Sequence, residues 1–189
     1  MENGSITGFA LIGMGPGKVE SMTLEAVEVA KNADIRLYEA YTALWPEDEL
    51  SKLEELIGPI ERIMRPTVER PEELFERAKT QSIAILVVGD PMQATTHIDF
   101  QLRAQKAGLP VRVIHGISVT TLVPGSTGLS DYKFGRSTTL TYPYGDWIVT
   151  SPLEVMLRNQ MQGLHTLVLF DLLSLIHTDA ADEKVRGGV

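Results

Sequence analysis

Short apolar runs alternate with segments of helical period along most of this 189-residue chain. The run Ile83-Ala84-Ile85-Leu86-Val87-Val88 is apolar without alternation, the pattern of a strand covered by helices on both faces. Gly8–Ile12, Ile35–Tyr38 and Val111–Ile114 also read as strands, and Ile60–Met64 as a weaker one. Leu24, Val27 and Ala30 recur at helical spacing behind Thr23, a good capping residue, which predicts a helix to about Asn32 with these three on its buried face. Further helices are predicted over Asp48–Ile57, over Glu72–Lys79 behind Pro71, and over Thr96–Ala107 before Gly108. Strand, helix and strand in succession imply parallel pairing with right-handed crossovers. Residues 1–114 are thus expected to form one α/β domain around a parallel sheet.

Beyond Ile114 the pattern changes, and residues 115–189 are expected to form a second α/β domain. Gly116–Gly128 is rich in Gly, Ser and Thr, and no element is assigned to it. Thr138–Tyr144 is β-prone, although it contains Pro143. Ser151-Pro152-Leu153-Glu154 combines a capping serine, a first-turn proline and a glutamate at the third position, predicting a helix to about Gln162. Gly163 stops it, Leu164–Phe170 reads as a strand, and the polar tail from Ala180 is expected to be mobile.

Composition narrows the function classes. There are 17 basic and 25 acidic residues, a net charge of −8, so a phosphate backbone is disfavoured as the main partner. Cysteine is absent, which excludes disulfides, thiolate nucleophiles and cysteine-based zinc sites. His97, His115, His165 and His177 are scattered, so no metal site is favoured. No secretory signal is evident at the N-terminus, and no apolar run approaches the roughly 20 residues of a membrane helix. A cytoplasmic location without membrane partners is expected.

Two loops could carry chemistry. Gly13-Met14-Gly15-Pro16-Gly17 lies between a strand and a helix, where a backbone can approach a ligand. Lys18 stands where a dinucleotide fingerprint needs its third glycine, so a nicotinamide site is not favoured, and the glycines could equally serve a tight turn. Gly89-Asp90-Pro91 ends the best strand, at the rim where open parallel sheets collect ligands. Asp90 could orient a polar ligand or simply close a turn. Thr95, Thr96 and His97 add hydroxyls and an imidazole, yet a threonine there is also an ordinary helix cap. Gly125-Ser126-Thr127-Gly128 does not have nucleophile-elbow spacing, and no phosphate-binding P-loop is present.

Several segments taken in order resemble the diphthine synthases of the tetrapyrrole methylase superfamily. They are Leu11–Gly15, Glu39–Thr42, Val88–His97, Val113–His115, Tyr132–Gly135 and Gly163–Asp171, the third being the most specific. The resemblance implies a two-domain α/β methyltransferase, usually a homodimer, that folds S-adenosylmethionine into the cleft between its domains and releases S-adenosylhomocysteine. Its substrate would be a modified histidine on translation elongation factor 2, in diphthamide biosynthesis. Carried over residue by residue, the cofactor contacts would be Pro16, Asp90, Gln93, Ser118, Val119 and Phe170, with Pro16 and Gln93 departing from what relatives often carry. Tyr41, Thr95, Thr96 and His97 would face the substrate, His97 being a guess at a base; no catalytic residue is assigned. Tyr41, Tyr142, Tyr144 and Trp147 could also greet a methylated ammonium with aromatic faces.

The family's chains run well past Asp171. The second domain is therefore expected to be incomplete, with an open edge beside the strand ending at Phe170 and weak or absent cofactor binding. Two other readings compete. One is a different methylase of the superfamily, acting on a tetrapyrrole or on ribosomal RNA; the other is a catalytically silent dimerising fragment.

Overall fold

The computed structural model describes residues 7–141 and 148–170. The chain divides into two compact units, residues 1–119 and 120–189.

The first unit holds strands β1 (Gly8–Gly13), β2 (Ile35–Glu39), β3 (Glu61–Ile63), β4 (Ser82–Val87) and β5 (Val111–Ile114). They form one sheet in the order β3-β2-β4-β1-β5, parallel throughout as the alternation of elements predicts. Helices α1 (Leu24–Asn32), α2 (Glu47–Ile57), α3 (Arg65–Glu69), α4 (Glu72–Ala78) and α5 (His97–Lys106) connect it. On one face Ile12, Tyr38, Ala84 and Leu86 pack with Ala26 and Ala30 of α1 and Leu50, Leu53 and Ile57 of α2. On the other, Phe9 meets Phe100 of α5 edge to face at 4.9 Å and Phe75 of α4 at 5.8 Å. Both faces of β4 are covered, which is why its sequence shows no alternation. Complete burial of a side chain such as Leu53 contributes roughly 2 kcal/mol.

Helix boundaries follow local chemistry. The Thr23 hydroxyl accepts a hydrogen bond from the Ala26 amide at 3.0 Å, capping α1 as expected. The buried face, however, runs through Ala26, Val27 and Ala30, and Leu24, expected inside, is 91% exposed. Glu47, Asp48 and Glu49 crowd the first turn of α2, where the helix dipole favours negative charge. Gly58 ends that helix at a φ of 98°, a conformation that costs glycine little. Helix α3 escapes sequence reading because five residues are too few to show a period.

The second unit contains α6 (Val119–Thr127), which begins at the boundary, then β6 (Thr138–Leu140), α7 (Ser151–Met161) and β7 (Val168–Phe170). Strands β6 and β7 pair in parallel across the α7 crossover. Asn159 of α7, 6% exposed, pins the connection by donating to the Arg136 carbonyl and the Thr166 hydroxyl, both at 2.8 Å.

Three expectations change here. The Gly-, Ser- and Thr-rich stretch does form a helix, α6, even though Pro124 inside it offers no amide. Thr150, not Ser151, is the N-cap of α7; Ser151 is already helical, and the Leu153 amide bonds to the Thr150 carbonyl at 3.0 Å. The last strand starts at Val168 rather than Leu164, because the Leu164 amide is held by the Asn159 carbonyl as α7 ends. Among the described residues β7 pairs only with β6. Tyr142, Pro143, Tyr144, Trp147 and the tail lie outside the described residues.

Candidate functional site

Strands β1, β4 and β5 are neighbours, so the loops leaving their carboxyl ends meet at one rim. Three glycines let those loops touch through bare backbone. A Cβ on Gly116 would stand 2.2 Å from the Gly89 oxygen and 2.8 Å from the Gly13 carbonyl carbon. Gly15 and Gly89 also exchange two backbone hydrogen bonds, at 3.1 and 2.9 Å, as an antiparallel bridge above a parallel sheet. The first loop therefore serves as a tight turn whatever else it does. Trp45, buried in the core, donates its indole N–H to the Gly15 carbonyl at 3.3 Å and ties in the loop after β2.

Asp90 lies at this rim and is 5% exposed. Its Oδ1 accepts the Met92 amide at 2.7 Å, closing the turn after β4. Its Oδ2 accepts the Gly116 amide at 3.2 Å and stands 2.8 Å from His115 Nδ1. The carboxylate thus does close a turn, and it also bridges to the loop after β5. The His115 side chain beyond it is 71% exposed.

The Asp90–His97 segment is folded on itself. The Thr95 hydroxyl donates to the Pro91 carbonyl at 2.7 Å and accepts from the His97 amide at 3.3 Å. Thr96 occupies the cap position of α5 without a side-chain cap bond, so Thr95 does the work expected of either threonine. Ala94 has a φ of 55°, an uncommon conformation for a residue with a Cβ.

His97, expected to face the substrate, turns inward. It is 1% exposed, and its Nε2 lies 2.8 Å from Oε2 of Glu39, also 1% exposed. The two atoms are close but not in hydrogen-bonding geometry, and neither His97 nitrogen has a hydrogen-bond partner among the described residues. Glu39 Oε1 accepts the Thr42 amide at 3.0 Å, fixing the loop after β2. Tyr41 in that loop is 5% exposed, packed in the core rather than presented to an open pocket. Burial, with the Glu39 charge as a lesser cause, raises its phenol well above the usual range and keeps it protonated.

Of the expected cofactor contacts, Pro16, Asp90, Gln93 and Ser118 belong to the three rim loops, and Val119, the last residue of the first unit, opens α6. Pro16, Gln93 and Val119 are exposed, while Ser118 is buried. Phe170 belongs to the second unit and is 73% exposed. Sequence reasoning gave no role to Glu39 or His115. Their signal was position: each follows a segment read as a strand, Ile35–Tyr38 and Val111–Ile114, at the carboxyl rim where Asp90 also stands. Among the described residues no three His, Asp or Glu side chains gather into a metal site.

Comparison with known proteins bears on this rim. The pattern of the Tetrapyrrole (Corrin/Porphyrin) Methylases matches residues 8–183. A diphthine synthase of Methanocella arvoryzae is 37% identical over 164 residues, covering 85% of this chain and 64% of that protein. One from Methanospirillum hungatei is 36% identical over 163 residues, covering 85% and 65%. A crystal structure of diphthine synthase superposes with a TM-score of 0.78 at 34% identity, covering 87% of this chain and 64% of the other. The chain spans just under two thirds of the length of these relatives.

Proposed function

The chain belongs to the tetrapyrrole (corrin/porphyrin) methylase family, and from that premise we propose that it is an S-adenosylmethionine-dependent N-methyltransferase of the diphthine synthase type. Its substrate on this reading is the amine of a modified histidine on translation elongation factor 2, in diphthamide biosynthesis. A homodimer working in the cytoplasm belongs to the same reading.

The observation that carries it is the Gly89–His97 segment at the carboxyl rim of the sheet, in a chain 36–37% identical to diphthine synthases. At Gly89 an added Cβ would sit in ordinary contact with the Ser118 Cα at 3.8 Å, so the loops after β4 and β5 lie against each other and a nucleoside donor would rest on their joint surface. Pro16, Asp90, Gln93, Ser118 and Val119 would hold it. Since Met92, Gly116 and His115 occupy the Asp90 carboxylate, that residue would meet the donor through its backbone.

When bound, the donor supplies a methyl group on a positively charged sulfur. The rim loops would orient it against the amine and exclude water, and such alignment is worth up to roughly 7–11 kcal/mol of a barrier. The test is transfer of labelled methyl to elongation factor 2 bearing the modified histidine, with precorrin as a competing acceptor. The chain should be assayed as it stands and extended by the part its relatives add. Label on the factor is expected in at least one form. Label on precorrin alone, or no label in either form, rejects the reading.

A further inference from the structure

We propose that His115 is the general base of this methyl transfer and that Asp90 is its positioning residue; the proposal rests on the reading above. The Asp90 carboxylate already accepts two backbone amides, from Met92 at 2.7 Å and Gly116 at 3.2 Å. A group fixed by two donors acts as an acceptor, so its third partner, His115 Nδ1 at 2.8 Å, must carry the proton. The neutral ring then holds its lone pair on Nε2, because the bond made by one ring nitrogen sets the state of the other. A buried carboxylate orienting an exposed imidazole is the arrangement that positions a base.

Location agrees with this role. His115 follows the last residue of β5, and its own successor Gly116 touches both Gly13 and Gly89. The ring therefore stands on the rim where the three loops meet, with its side chain 71% exposed. The other described histidines are placed differently. His97 is sealed beside Glu39, and His165 of the second unit lies against Phe134 with ring centroids 5.5 Å apart.

The chemistry needs such a group. Near neutral pH an aliphatic amine is an ammonium and has no lone pair with which to attack. The ammonium gives one proton to His115 Nε2. The freed pair forms the new N–C bond as the C–S bond breaks, and the electrons of that bond remain on sulfur as a neutral thioether. The imidazolium then passes its proton to solvent, which its exposure permits. An imidazole is the side chain suited to this exchange near neutral pH.

The test uses whichever form of the protein transfers methyl in the assay above. His115→Ala should slow single-turnover transfer on the order of 100-fold, and imidazole added to the buffer should restore part of the loss. Independently of turnover, nitrogen-15 NMR of the ligand-free protein should show the His115 proton on Nδ1, and Asp90→Asn should abolish that preference. A His115→Ala variant within about threefold of the parent, a loss that imidazole does not relieve, or a ring protonated on Nε2 alone would each overturn the assignment. If no form of the parent transfers methyl, the methyl-transfer reading itself fails and takes the base with it.

Discussion

The two ends of the five-stranded sheet handle charge in opposite ways. At the amino end, Asp34 before β2 is exposed, and its Oδ2 accepts both the amide and the hydroxyl of Ser82, at 2.8 and 2.7 Å. The Asp34 amide returns a bond to the Ser82 carbonyl at 3.0 Å, so two neighbouring strands are clamped by solvated groups. At the carboxyl end Asp90, Glu39 and His97 are all at most 5% exposed, and His97 makes no ring hydrogen bond among the described residues. Taking polar groups out of water is costly, most of all for one left without a partner, as the His97 ring is among the described residues. Their concentration at one end of the sheet is the physical reason to place function there rather than at the other.

Substitutions can break this contrast. The largest effect is expected at Glu39→Ala, which removes the acceptor for the Thr42 amide and takes away the carboxylate lying 2.8 Å from the buried His97 ring. A loss of about 3 kcal/mol is expected. Urea unfolding followed by Trp45 fluorescence in a Trp147→Phe background would measure it, and a loss below about 1 kcal/mol would remove the claim that this end is the costly one. Next comes Gly116→Ala, whose new methyl would meet the Gly89 oxygen at 2.2 Å. Backbone on both sides must shift, at a cost of about 2 kcal/mol in the same assay; a neutral result would mean that the loops are free to part.

The smallest effect is expected at the amino end. The Ser82 amide and hydroxyl hold the Asp34 carboxyl below its ordinary value of 3.8. A depressed acid contributes stability that is full above the ordinary value and fades as the pH falls through the lowered one. Asp34→Asn should therefore cost about 1 kcal/mol at neutral pH, modest because the site is solvated. The gap from the parent should shrink in acid. A gap that widened there would reverse the sign of the argument and undo the comparison.

Much of the first unit was legible because its signals are local and agree with one another. The β4 run, the Thr23 cap and the Gly108 stop each act within a few residues, and each element they predict is present. The second unit was read less well because competing signals overlap. Ser151 looks like a cap only until Thr150 is seen to take that place, and Pro124 hides a helix that forms around it. At the site, the position of Asp90 could be anticipated from the strand before it. Its partner His115 is 25 residues away, and only the adjacency of β1 to both β4 and β5 brings the two together. The inward turn of His97 was equally hidden, since it depends on Glu39 at the end of β2.

The glycine contacts among the loops after β1, β4 and β5 carry one more consequence. Where side chains separate two loops, a change of rotamer can absorb a displacement. Here main chain presses directly on main chain, and no such cushion exists. A ligand that nudges one loop moves its neighbours by the same amount, so this edge shifts as a plate or not at all, and whatever docks on it must arrive already shaped to fit.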